Sequence, residues 1–262
     1  MCGIAGFSLD RGSDIDRTLA AQALLAGIAE RGADAVGYAY RGGAPQVTLH
    51  KQLSGATAML DTLEVPDDAT EALVHVRDYT KGHPTLIANN HPIRHGSVVG
   101  IHNGVILNDE EIFERHGFEH AEDGMTVDSE AIFALMQSTQ CDRSALEELR
   151  GSMATAWIDE RVPVRLHLAR GVARPLWIGR ARRELFFAST KAALEIVEGA
   201  LRLTLRKQEV AEGRVLHLEH GRVAAQERFK ADRSYRDDGL LPAVRAPQEQ
   251  ARCLAKLALL TA

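Results

Sequence analysis

No stretch of this 262-residue sequence approaches the ~18 consecutive apolar residues of a membrane-spanning helix, and the amino terminus has neither a basic leader nor an apolar h-region. A membrane span and a secretory signal are therefore not expected. Cysteine is scarce: Cys2, Cys141 and Cys253 are odd in number and far apart, which argues against a disulfide scaffold and fits a reduced, cytoplasmic chain. Basic residues do not dominate. With 31 Lys and Arg against 36 Asp and Glu, the formal charge of -5 leaves no electrostatic footprint for nucleic acid. Internal repeats and low-complexity segments are missing as well. The glycine-rich stretches at 3–6 and 41–43 lack the spacing and the lysine of a phosphate loop, so no nucleotide site is expected. Five histidines (His75, His83, His91, His95, His102) invite a metal reading, but Pro84 and Pro92 break any helix that would align them and no cysteine is near. No metal and no cofactor are expected. What remains is 45% hydrophobic and 26% charged, ordinary for a globular protein long enough to bury a sizeable core.

The most informative residue is the second. Met1-Cys2-Gly3-Ile4-Ala5-Gly6-Phe7 places a thiol where it becomes the first residue once the initiator methionine is removed, and methionine is normally excised before a small side chain such as cysteine. A cysteine there has its base built in, because its own α-amine has an unperturbed pKa of roughly 8 and can take the thiol proton directly or through a water. Met-Cys alone carries little weight, so the case rests on the rest of the chain.

Short β-type runs recur at 3–9, 36–40, 46–53, 72–76, 97–102, 153–159, 164–169, 176–179, 184–188 and 215–218, which predicts two sheets. Helical periodicity is clearest over 17–30, where Leu19, Ala23, Leu24 and Ala26 or Gly27 line one face. Further helices are expected over 109–116, 129–137, 143–149 and 191–199, with Asn108 or Asp109 and Ser189 or Thr190 as caps. Glu219-His220-Gly221-Arg222 reads as a hairpin turn.

Four blocks then stand out: Arg31-Gly32-Ala33-Asp34-Ala35-Val36-Gly37; His75-Val76-Arg77-Asp78-Tyr79-Thr80-Lys81-Gly82 with Asn90-His91-Pro92 and His102-Asn103-Gly104; Thr126-Val127-Asp128-Ser129-Glu130; and Gly171-Val172-Ala173-Arg174-Pro175-Leu176 with Phe187-Ala188-Ser189-Thr190. In order and spacing they resemble the glutaminase domain of class II glutamine amidotransferases, the N-terminal nucleophile group that includes amidophosphoribosyltransferase, glucosamine-6-phosphate synthase and asparagine synthetase. The resemblance implies an α+β fold, the four-layer αββα sandwich of N-terminal nucleophile hydrolases. It implies Cys2 as nucleophile toward glutamine, with the Asn103 side-chain amide and the Gly104 backbone N–H as oxyanion hole. It assigns Arg77 to the substrate α-carboxylate and Asp128 to the α-ammonium. Thr80 and Gly82 fall in the loop that closes over glutamine, and Arg31 braces the turn beside the nucleophile.

The chain departs from the family at Asp78, directly after the arginine, where a carboxylate could pair with Arg77 and weaken its grip on substrate; Ala33 and Ala35 also replace bulkier or polar residues. The resemblance covers residues 1–229. Residues 230–262 read as a polar linker and a short helix over 248–260 that docks on the body or on a partner, with Pro247 suited to the first helical turn. So short a remainder leaves no room for an acceptor domain. The expectation is thus a stand-alone glutaminase that passes ammonia to a separate synthase or ligase subunit. The alternatives are a free-standing hydrolase of glutamine or γ-glutamyl amides, and a non-catalytic glutamine-sensing subunit.

Overall fold

The computed structural model describes residues 2–236 and 244–261. Removal of Met1 and the middle of the expected 230–247 linker lie outside the described residues. In chain order the first half holds β1 (Gly3–Leu9), α1 (Arg17–Ile28), β2 (Ala35–Arg41), β3 (Thr48–Gln52), α2 (Ala56–Leu60), β4 (Glu71–Arg77), β5 (Ile93–His95), β6 (Val98–Ile106), α3 (Asp109–His116) and α4 (Glu130–Ser138). The second half holds β7 (Gly151–Asp159), β8 (Leu166–Arg170), β9 (Trp177–Arg180), β10 (Glu184–Ala188), α5 (Lys191–Leu201), β11 (Arg206–Glu209), β12 (Arg214–Glu219), β13 (Arg222–Arg228) and α6 (Pro247–Leu260). Short 3-10 helices follow α1 (Ala29–Arg31), precede β5 (Ile87–Asn89) and lie between α4 and β7 (Arg143–Glu148).

The strands form a seven-stranded sheet in the order β11-β9-β10-β1-β4-β2-β3 and a six-stranded sheet in the order β13-β12-β8-β7-β6-β5. Every pairing is antiparallel. Because side chains alternate across a strand, each sheet offers two faces, and three apolar cores result. Ile4, Leu73, Ile101, Ala156, Leu168 and Phe187 fill the space between the sheets. On the outer face of the larger sheet, Phe7, Val74, Val76 and Phe186 pack with Leu24 and Ile28 of α1, Leu194 of α5 and Leu257 of α6. On the outer face of the smaller sheet, Val98, Trp157 and Val215 pack with Ile112 of α3 and Ile132 and Phe133 of α4. The layers are helices, sheet, sheet, helices, the expected αββα sandwich.

Helix α1 differs from its predicted one-sided pattern. Ala20 to Ile28 are all buried while Leu19 is only half-buried, because α5, α2 and α6 cover the faces that the sheet does not. Residues expected as a helix over 143–149 close instead as the 3-10 helix Arg143–Glu148, started by the Asp142 carboxylate, which accepts from Ser144 N. The hairpin turn between β12 and β13 puts both His220 (φ 50°) and Gly221 (φ 72°) in the left-handed region, as a tight turn matched to strand twist demands. Helix α6 lies on α1, α2 and the 3-10 helix Ala29–Arg31, with Cys253 and Leu257 buried; the Glu249 carboxylate accepts from Thr57 N at 3.0 Å.

Candidate active site

The site forms where strands β1, β4 and β6 run out at one end of the inter-sheet layer. Register sets which residues meet there. Gly3 pairs with Val76, so one step further Cys2 stands opposite Arg77. Ile4 and Leu73 point between the sheets, and two residues along each strand Cys2, His75 and Arg77 inherit that direction. On β6, Val99 and Ile101 point into the same layer, so Asn103 does too. The sheets are tied at this end: His75 Nε2 lies 3.1 Å from the carbonyl oxygen of His102, the residue before Asn103.

Cys2 is held on two sides. Arg31 Nε donates to the Cys2 carbonyl at 2.8 Å, and the Cys2 thiol lies 3.5 Å from the Asp78 carbonyl, to which it donates. Gly3 permits this placement, since a Cβ there would lie 2.8 Å from Val76 Cγ2 and 2.9 Å from Ile28 Cβ. Burial pushes the thiol up; the charges of the amino terminus and of Arg77 pull it down, and the Asp78 carboxylate pushes it up further.

Asn103 is fully buried, and neither its amide nitrogen nor its amide oxygen has a hydrogen-bond partner among the described residues. A buried primary amide left bare is costly unless something else comes to it. Gly104 follows with φ +152°, and a Cβ there would sit 1.9 Å from Ser152 O and 2.6 Å from His102 Nε2, so only glycine fits. The His102 ring holds the neighbouring segment, with Nδ1 2.8 Å from Ser129 Oγ and Nε2 3.3 Å from Ser152 O. Burial takes His75 and His102 down to about 3 and His91 well below its usual value, so all three are neutral.

Arg77 is buried and already engaged. One terminal nitrogen donates to the Asn89 carbonyl and to Asn90 Oδ1, the other to the carbonyls of Lys81, at 2.9 Å, and Gly82. It therefore anchors the loop that carries Thr80 and Gly82; Thr80 itself is exposed at the rim. Asp128 is buried, with Oδ2 accepting from Ile106 N at 2.6 Å, which ties the start of α4 to the strand just past Gly104. Burial, opposed by the Ile106 N–H, raises its carboxyl to about 6. The Asp78 carboxylate faces Arg245 at 3.3 Å, a partner that sequence reasoning missed because 167 residues separate the two. Asn89 was missed as well: its carbonyl braces Arg77 together with Oδ1 of Asn90 from the Asn90-His91-Pro92 block, and it lies in a segment with no periodic signal. Of the two residues expected as caps, Thr190 caps α5, while Ser189 accepts from Ile4 N at 3.0 Å.

Residues 71–195 match the family model of a glutamine amidotransferase domain. Over 209 residues, 74% of this chain and 32% of the relative, the sequence is 32% identical to the glutamine–fructose-6-phosphate aminotransferase (isomerizing) of Yersinia pseudotuberculosis. This chain belongs to the class II glutamine amidotransferases. The same-named enzyme of Methanothermobacter thermautotrophicus is also 32% identical, over 210 residues and 34% of its length, so the amidotransferase chain spans about a third of these curated relatives. Among solved structures, the glutamine phosphoribosylpyrophosphate amidotransferase of B. subtilis superposes with a TM-score of 0.67 at 21% identity, over 87% of this chain and 49% of that one. A glutamine aminotransferase class-II domain protein from Silicibacter pomeroyi superposes with a TM-score of 0.54 at 16% identity, over 87% of this chain and 100% of that one. Both share the amidotransferase fold. Among the described residues no helix is long and apolar enough to cross a membrane, and no group of three or more His, Cys, Asp or Glu side chains is arranged to hold a metal ion.

Proposed function

We propose that this chain hydrolyses the side-chain amide of glutamine to glutamate and ammonia through a γ-glutamyl thioester on Cys2. With Met1 removed, the α-amine of Cys2 takes the thiol proton, Sγ attacks the amide carbon, and the proton goes to the leaving ammonia. Water then cleaves the thioester. The observation that carries the reading is the fully buried, unpartnered amide of Asn103 at the end of the inter-sheet layer toward which Cys2 also points. Its Nδ2, with the Gly104 N–H, donates to the oxyanion.

Asp128, ionised above about 6, accepts the substrate ammonium. Arg77 attracts the α-carboxylate, which replaces the Lys81 and Gly82 carbonyls on its outer nitrogen as the loop bearing Thr80 and Gly82 closes. Arg31 keeps the Cys2 backbone in place. Ammonia passes, in this reading, to an acceptor held by a separate synthase or ligase chain. The curated relatives extend well beyond the third of their length matched here.

A diazoketone analogue of glutamine, read by intact mass and peptide mapping, tests the assignment. It should add once, at Cys2 of a chain lacking Met1, and Cys2→Ala should abolish both labelling and glutaminase activity. Cys141, whose thiol burial pushes up to about 12, and buried Cys253 are poor competitors. An adduct on either of them would overturn the reading.

A further inference from the structure

Cys2 sits between two chain segments, the end of the 3-10 helix Ala29–Arg31 and residue 78 beyond β4, and one distant residue touches both. The backbone N–H groups of Arg245 and Ala246 each donate to the Glu30 carbonyl at 2.8 Å, next to Arg31, which holds the Cys2 carbonyl. The Arg245 side chain reaches on to Asp78, Nε to Oδ1 at 3.3 Å, and the Asp78 carbonyl is the acceptor of the Cys2 thiol. Helix α6, begun by Pro247 and fixed by buried Cys253 and Leu257, delivers Arg245 to this point.

We infer that Arg245 is a positioning residue of the Cys2 site, clamping the two segments that hold the nucleophile and countering the Asp78 charge beside the thiol. The inference rests on Cys2 as the nucleophile. The charged groups around the thiol are few. The amino terminus adjoins it, Arg77 and Asp78 come from the end of β4 and Arg31 from the 3-10 helix, with Glu30 and Arg174 near Arg31; the side chains of β1 bring none. Of these, Asp78 opposes thiolate formation. A guanidinium on its carboxylate cancels part of that effect at the thiol, as opposite charges a few ångströms apart do. The Asp78 side chain is 15% exposed and that of Arg245 39%, so the field is screened only in part.

The test uses the full chain and iodoacetamide, a neutral alkylator that needs no substrate pocket, with Cys2 modification followed by peptide mass across pH. Arg245→Ala should move the midpoint of Cys2 alkylation to higher pH and slow it about two- to fivefold near neutral pH, the range of a partly exposed ion pair. Adding Asp78→Asn to Arg245→Ala should restore both rate and midpoint, whereas a merely structural loss would not be restored by removing a charge. Arg245→Lys should keep most of the effect. An unmoved midpoint in Arg245→Ala, or no rescue by Asp78→Asn, would overturn the inference while leaving Cys2 as nucleophile. No alkylation of Cys2 in the unaltered chain at any pH would overturn the nucleophile reading and this one with it.

Discussion

Asp128 serves two opposing ends. Its buried carboxylate costs stability when ionised, yet the ionised form is the one that the proposed function needs to hold a substrate ammonium. Its folded value of about 6 lies above the ordinary carboxylate range, so the native state binds the proton more tightly than the unfolded chain. The stability contributed by the proton is therefore lost as pH rises from about 4 to about 6, at most roughly 3 kcal/mol. Asp128→Asn, whose amide oxygen can still accept from Ile106 N, should raise the Tm above pH ~6 and leave it nearly unchanged below pH ~4, while raising KM for glutamine. In the unaltered enzyme kcat/KM should fall as pH drops through about 6. A flat profile there would remove Asp128 from ammonium binding. Asn103→Ala should instead lower kcat about a hundredfold with little change in KM, because an oxyanion donor acts in the transition state; steady-state kinetics separate the two. The candidates for these roles were legible as residue types in ordered motifs. The engagement of Arg77 with the Lys81, Gly82 and Asn89 carbonyls was not, since carbonyls leave no mark in a sequence.

Among the elements, α6 is the one whose importance is greatest relative to its sequence signal. It packs on α1 and α2 with Leu257 only 5% exposed, whereas Leu259, two residues on, is 80% exposed. Leu257→Ala should cost about 2–4 kcal/mol in urea unfolding, and Leu259→Ala less than about 0.5 kcal/mol. Equal effects would mean that α6 does not dock as described. Strands β1, β4, β7 and β10 were predictable because their residues are buried on both faces and rich in apolar side chains. Strands β11 (Arg206–Glu209) and β13 (Arg222–Arg228) were not, since as sheet edges they are mostly exposed and carry no apolar alternation. The 3-10 helix Arg143–Glu148 was expected as an α-helix because periodicity over six residues does not separate the two.

On the scale of the whole molecule, the prediction concerns coupling. Resemblance to the family implies that glutaminase activity stays low until an acceptor site is loaded. Purified alone, this chain should turn over glutamine slowly, and adding the proposed synthase or ligase partner with its acceptor should raise the rate. Full turnover without any acceptor, with better kcat/KM on a γ-glutamyl peptide than on glutamine, would favour a free-standing hydrolase instead.

The order of residue types along the chain determined the family and the αββα class and marked Cys2 as the candidate nucleophile, because a thiol after Met1, an Asn-Gly pair and the Arg and Asp of the motifs are local chemistry readable one position at a time. Where these groups stand relative to one another was decided only by the tertiary structure. Register sets Cys2 opposite Arg77, strand alternation turns Asn103 into the same layer, and the docking of α6 carries Arg245 to Asp78 across 167 residues. Such contacts depend on how sheets stack and helices close over them, and sequence separation carries no information about that packing.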